Sequence, residues 1–134
     1  MQLPHGATVA VADGAKLVMF RNSGNEANPE LTALPHGPVD VENMDSGKRH
    51  QSSAANPDDS TQDEDAFAAG TAELLNKQVM AGKIAALVII AAPKTLGELR
   101  RGYHKTLEAK LIGEIAKDLT GHPAPDILKA IAAA

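Results

Sequence analysis

The stretch Ile84-Ala85-Ala86-Leu87-Val88-Ile89-Ile90-Ala91-Ala92-Pro93-Lys94-Thr95 contains the strongest structural signal in the chain. Its first eight residues form a nearly continuous apolar run with several β-branched side chains, which is typical of a strand buried on both faces. Thr95 and Glu98 have the spacing of a capping box, so an amphipathic helix is predicted to begin at Thr95. A buried strand followed at once by a helix indicates a three-layer α/β domain, in which ligands and partners are met at the strand ends.

Three short segments near the N-terminus predict an antiparallel meander. Residues 8–12 and 17–20 are apolar runs separated by Asp13-Gly14, which is a strong hairpin signal. Residues 30–34 are predicted to form a third strand that ends before Pro35. We therefore expect a mixed sheet that begins with these antiparallel strands.

The rest of the chain is predicted to contain one long loop, further helices and one more strand. Residues 36–62 are polar and rich in Gly, Ser, Asn and Pro, and so long a connection is usually functional or disordered. Helices are predicted over 63–80, from Thr95 onward, and from Pro125. Residues 111–115 fit either a helix or a strand, and Gly113 favours the strand. The whole chain, 1–134, is expected to be one domain.

The helix predicted to begin at Thr95 has one apolar face and one basic face. Leu96, Leu99, Tyr103 and Leu107 fall on one side at helical spacing. The basic side chains in and around this helix fall mostly elsewhere. They are Lys94, Arg100, Arg101, His104 and Lys105. This cationic group is either an ordinary solvated face or a contact for phosphates or an acidic partner.

Composition restricts the classes of protein to consider. The chain has 134 residues and a net charge of −4, and aromatic residues make up only 2%. The core is therefore aliphatic, and modules that stack bases on aromatic rings are disfavoured. The absence of cysteine excludes disulfides and thiolate sites. Neither a signal peptide nor an apolar run of about 20 residues is found, so we expect a cytoplasmic protein without membrane insertion.

The acidic charge is concentrated in one part of the chain. Residues 40–65 contain eight acids and two bases, whereas the residues from 66 onward contain nine bases and six acids. Within the acidic segment, Lys48 and Arg49 stand beside Gln51 and Ser52. This short stretch is either a solvated loop or a probe that inserts into a partner.

No sharp catalytic motif is present. The sequence contains no nucleophile elbow, P-loop or dinucleotide fingerprint, and its five histidines are too far apart to define a metal site. Asp13 ends the first strand, where a ribonuclease-H-type nuclease keeps a metal carboxylate, but its place in Asp-Gly favours a turn role. We therefore predict no catalytic residue, no metal and no cofactor, and an enzyme is the less favoured interpretation.

Three segments resemble the bacterial family named host attachment protein, or protein required for attachment to host cells. They occur in the expected order across nearly the whole chain. The segments are Val9-Ala10-Val11-Ala12-Asp13-Gly14 with Phe20-Arg21-Asn22; Gly47-Lys48-Arg49-His50-Gln51-Ser52-Ser53; and Ala92-Pro93-Lys94-Thr95-Leu96-Gly97-Glu98-Leu99, continuing through His104-Lys105 to Lys117-Asp118-Leu119-Thr120.

That family is similar to the middle domain of archaeo-eukaryotic peptide-chain release factors. The resemblance implies a ribonuclease-H-like α/β fold with a mixed sheet. In release factors a Gly-Gly-Gln-Ser tip helps water attack the peptidyl-tRNA ester. Gln51-Ser52 falls in the corresponding loop here, but Arg49-His50 replaces the two glycines. Glycine is needed where a side chain is sterically excluded, so this departure from the release-factor motif argues against the same hydrolytic activity here.

Three functions follow as hypotheses. The first is a non-catalytic, release-factor-like module that contacts the ribosome or structured RNA through Lys94, Arg100, Arg101, His104 and Lys105, together with the loop residues Lys48, Arg49, Gln51 and Ser52. The second is a factor required directly or indirectly for attachment to host cells, and the third is a small hydrolase. Another protein as partner and a homo-oligomer paired through the open sheet edge are also compatible with the sequence.

Overall fold

The computed structural model describes residues 1–41 and 59–134. Within these residues the chain forms five strands and four helices, numbered here in chain order. They are β1 (Thr8–Ala12), β2 (Leu17–Asn22), β3 (Leu31–Ala33), α1 (Asp59–Met80), β4 (Leu87–Ala91), α2 (Pro93–Arg100), α3 (Lys105–Lys110), β5 (Leu111–Ala116) and α4 (Ala124–Ala133).

The strands form one mixed sheet in the order β3-β2-β1-β4-β5. Strands β1, β2 and β3 are antiparallel neighbours, whereas β1, β4 and β5 run parallel. The predicted mixed sheet with an N-terminal meander is thereby confirmed. Because β1, β4 and β5 are parallel, the segments that follow them leave the sheet at the same end.

Two aliphatic clusters cover the two faces of the sheet. On one face, Leu75 of α1, Ile89 of β4 and Leu99 of α2 belong to a single buried cluster. On the other face, Val9 of β1 packs in a cluster with Ile127 of α4. Helices on both faces of a sheet make the three-layer α/β architecture that the sequence predicted.

The helix boundaries differ from the predicted ones. Helix α1 begins at Asp59 instead of residue 63. Helix α2 begins at Pro93, with Ala92 as its N-cap and no side-chain cap hydrogen bond. The predicted start at a Thr95–Glu98 capping box is therefore wrong. Proline suits the first helical turn, because its fixed φ and missing N–H cost nothing there.

The helix predicted from Thr95 through Leu107 is in fact two helices. Helix α2 ends at Arg100 and α3 begins at Lys105. Gly102 lies in the turn between them, where an added Cβ would come within 2.9 Å of the Ala72 Cβ atom of α1. Because α1 approaches so closely, the turn between α2 and α3 accommodates a glycine at this position. The predicted apolar face persists across both helices, since Leu99 and Leu107 are fully buried.

Residues 111–116 form the predicted strand. Gly113 lies in the middle of β5, and an added Cβ there would clash with the side chain of Met1. The glycine therefore makes room for the N-terminal residue instead of ending a helix.

Candidate nucleic-acid interface

The outward face of α2 carries two exposed cations. Leu96 and Leu99 point into the core, so residues seven apart on the opposite side, Lys94 and Arg101, point outward. Their side chains are 64% and 78% exposed. Gly97 lies between them, and an added Cβ there would meet nothing within 4 Å. The backbone of α2 is therefore accessible between the two basic side chains.

Arg100 instead pairs with Glu114 of β5. The guanidinium makes a two-pronged contact, with Nη2 donating to Oε1 at 2.9 Å and Nε donating to Oε2 at 3.2 Å. The hydrogen bond and the negative charge of Glu114 raise the pKa of Arg100. A bidentate pair of this kind is geometrically specific. Arg100 is thus less available to an external partner than the other cations.

Glu114 also accepts a hydrogen bond from the hydroxyl of Tyr103, at 2.9 Å from its Oε2 atom. Burial raises the pKa of Tyr103, and the hydrogen bond and charge of Glu114 raise it further. One carboxylate therefore joins α2, β5 and the turn before α3.

The remaining cations are weakly paired or unpaired. Arg101 Nη1 lies 3.4 Å from Glu98 Oε1, and Lys94 Nζ lies 3.8 Å from Glu64 Oε1. Exposed pairs at such distances contribute little stability and exchange partners readily. The exposed side chains of His104 and Lys105 make no ion pair with any residue in the described ranges 1–41 and 59–134.

A second group of polar side chains lies at the carboxyl ends of the parallel strands. Asp13, directly after β1, accepts hydrogen bonds at Oδ1 from the backbone N–H groups of Ala15 (2.7 Å) and Lys16 (2.6 Å). Its Oδ2 accepts from the hydroxyl of Thr120 at 2.9 Å. Partial burial acts to raise the pKa of Asp13, but these three hydrogen bonds outweigh it and lower the pKa below the usual value.

The Thr120 hydroxyl lies between two carboxylates. Asp118 Oδ1 is 2.7 Å from Thr120 Oγ1, in addition to the contact with Asp13. A hydroxyl has one proton, so it donates to one of these carboxylates at a time. The arrangement connects the end of β1 with the segment after β5. Among residues 1–41 and 59–134, no three His, Asp or Glu side chains are grouped so as to hold a metal ion.

The fold and these contacts agree with a comparison against protein families. The model of bacterial archaeo-eukaryotic release factor family 12 matches residues 6–131. The chain belongs to this family. The match includes all five strands and confirms the predicted resemblance to the release-factor middle domain. A search of curated proteins found no match, and the host-attachment name stays a prediction.

This release-factor family 12 domain contains no helix, within the described residues, that is both long and apolar enough to cross a bilayer. Lys48, Arg49, Gln51 and Ser52 lie outside those residues. Their predicted role beside the cations of α2 and α3 stays a prediction.

Reasoning from the sequence missed two residues, Glu114 and Asn76, that organise the surface of this family 12 domain. Glu114 is a charged residue inside a predicted strand, and such a position signals a buried partner only once the neighbouring strand and helix are known. Asn76, which lies in α1, makes hydrogen bonds to the backbone of the turn between α2 and α3. Its only sequence signal is an amide near the apolar stripe of a helix.

Proposed function

We propose that this release-factor-like module binds structured RNA, with ribosomal RNA as the natural candidate, and does so without catalysing a reaction. The proposed interface is the α2–α3 cationic surface, defined as Lys94, Arg101, His104 and Lys105. Arg100 borders it. We also propose that Lys48, Arg49, Gln51 and Ser52, which the sequence predicted as binding residues, contact the same RNA.

The observation that carries the proposal is the weak pairing of exposed cations around an open stretch of helix. Lys94 and Arg101 share one face of α2, and their contacts with carboxylates of the described residues are long. Phosphate oxygens compete well for such cations, because binding releases condensed counterions from the nucleic acid. The missing side chain at Gly97 leaves space for a phosphate backbone to approach. Membership of a release-factor family supports RNA as the polyanion.

The host-attachment and hydrolase hypotheses are kept as separate predictions with their own tests. Fractionation of intact cells would detect a surface-exposed pool if the protein acted directly in attachment. A hydrolysis screen in which the activity disappears on changing Gln51 or His104 would favour the hydrolase. Replacement of the two glycines by Arg49-His50 argues against release-factor hydrolysis.

The experiment measures binding of a labelled ribosomal RNA hairpin by fluorescence anisotropy at several salt concentrations. The double variant Arg101→Glu/Lys105→Glu should weaken binding by about tenfold or more at low salt and reduce the slope of log affinity against log salt by about 2. The matched control is Lys117→Glu/Lys129→Glu, which makes the same change in net charge on another part of the molecule.

Two outcomes contradict the proposal. Equal losses from the two double variants would show that only net charge matters. No binding of the hairpin and no co-sedimentation with ribosomes at low salt would exclude an RNA partner.

A further inference from the structure

Strand β5 is the outermost strand on its side of the sheet. It pairs with β4 on one edge, and no strand in the described residues pairs with the other edge. An open edge presents N–H and C=O groups that can bind another extended chain. The pairing with β4 skips Ile112, because Leu87 lies opposite Leu111 and Val88 lies opposite Gly113. Ile112 is 42% exposed at this irregularity.

A shallow groove runs beside this edge, between β5 and α4. It has two adjoining parts of about 450 and 300 Å³. Both parts are lined by Lys117, Ala130 and Ala133. The alanines of α4 leave room for a main chain to lie against the helix while it pairs with the strand.

Two lysines line the groove, Lys117 and Lys129. Lys117 and Lys129 are exposed, and neither forms an ion pair with any residue in the described parts of the chain. The acids nearby have other partners. Glu114 is bound by Arg100 and Tyr103.

The other acid of the groove, Asp126, lies 3.3 Å from His122 Nδ1, a contact that is an ion pair only when the histidine is protonated. A further base, Lys110, precedes β5, so the strand edge has a lysine at each end. This distribution disfavours a second copy of the chain as the occupant. An antiparallel β5–β5 pair would bring the Lys110 end of one strand beside the Lys117 end of the other, and like charges across strands are destabilising.

We propose that β5 and α4 form a docking site for an extended acidic peptide segment of a partner protein, which adds to the sheet as a further strand. Main-chain hydrogen bonds to β5 supply the affinity, as in other cases of strand addition. Acidic side chains on one face of the peptide pair with Lys117 and Lys129, and the alternate side chains point to its other face. This site is independent of the α2–α3 cationic surface.

The test uses the fluorescein-labelled peptide Glu-Val-Glu-Val-Glu-Val-Glu and fluorescence anisotropy. Lys117→Glu/Lys129→Glu should weaken its binding by about tenfold or more, because attraction becomes repulsion. Arg101→Glu/Lys105→Glu serves as the charge-matched control and should leave binding unchanged. Ala133→Trp fills the groove at an exposed position and should also abolish binding, with circular dichroism confirming that the variant is folded.

Two chemically altered peptides separate strand addition from simple charge attraction. Methylation of alternate backbone nitrogens, in both possible phases, should abolish binding in one phase because it removes hydrogen bonds to β5. Binding that survives both methylated peptides overturns the proposal, as does a failure of the unmodified peptide to bind.

Other occupants would give different results. A concentration-dependent dimer that Ala133→Trp disrupts would assign the groove to a second copy. The RNA hairpin could also displace the peptide, both from the wild-type protein and from Arg101→Glu/Lys105→Glu. That result would assign the groove to RNA. Either result overturns the peptide proposal, and neither depends on whether the α2–α3 cationic surface binds RNA.

Discussion

Asn76 of α1 donates a hydrogen bond from its side-chain amide to the carbonyl oxygen of Gly102, at 2.8 Å. Its Oδ1 atom accepts the backbone N–H of His104 at 3.1 Å. A single buried side chain therefore satisfies a donor and an acceptor of the turn that separates α2 from α3. That turn sets the direction of α3 relative to α2, and so the positions of Arg101 and Lys105 on the proposed RNA surface.

Replacement Asn76→Ala should lower the free energy of unfolding by about 2 kcal/mol, because it removes two hydrogen bonds and leaves two partly buried backbone groups without these partners. Urea denaturation followed by circular dichroism measures the change. Lys77→Ala, one residue away and exposed, should change stability by less than about 0.5 kcal/mol. Similar effects of the two substitutions would contradict the bridging role of Asn76.

Tyr103 is the single tyrosine of the chain, so its ionisation can be followed directly by the ultraviolet absorbance of the phenolate. Its pKa is raised in the folded protein, whereas an unfolded tyrosine ionises near about pH 10. The contribution of Tyr103 to stability should therefore be constant below that pH and fall as the pH rises above it, since only the unfolded state then loses the proton readily.

Replacement Glu114→Gln should lower the pKa of folded Tyr103 without returning it to its ordinary value. Burial is the larger cause of the shift and remains in the variant. Glu98→Gln, on the outward side of α2, provides the control and should leave the titration unchanged. A titration unaffected by Glu114→Gln would mean that the hydrogen bond to Tyr103 has no influence.

Two glycines close together in sequence should respond to alanine in opposite ways. Gly97 is exposed inside α2 with open space around it, so Gly97→Ala should stabilise the protein by up to about 1 kcal/mol. At Gly102 the new methyl group would meet Ala72 at 2.9 Å, and Gly102→Ala should destabilise it by about 1–3 kcal/mol through overpacking. Thermal unfolding of both variants measures the difference, and changes of the same sign would contradict it.

The hydrogen bonds to Asp13 should stabilise the protein in a pH-dependent manner. Its folded pKa is lowered, so its contribution is fully present above the unfolded pKa of about 3.9 and is lost as the pH falls through the folded value. Asp13→Asn should therefore reduce stability at neutral pH, and the difference from wild type should narrow as the pH falls below about 4. A difference that stays constant between neutral and acidic pH would exclude the carboxylate as its source.

Local sequence patterns predicted the elements of the fold well. The apolar run before Ala92 and the Asp-Gly turn after Ala12 each identify a strand through residues that are neighbours in the chain. The family resemblance predicted that those strands form the mixed sheet of a release-factor middle domain. The capping box at Thr95 failed, because a proline at the start of α2 set the first turn two residues earlier.

The sequence by itself determined that this protein is an aliphatic α/β domain with a cluster of bases after its central strand, because periodicity and composition are properties of adjacent residues. Only the tertiary structure decided which of those basic side chains pair with a carboxylate of the protein. Arg100 meets Glu114 fourteen residues away, whereas the Lys105 side chain meets no carboxylate in the described parts of the chain. Such pairings depend on which strand lies beside which helix. The positions of charged residues along the sequence do not reveal which of them come close together in space.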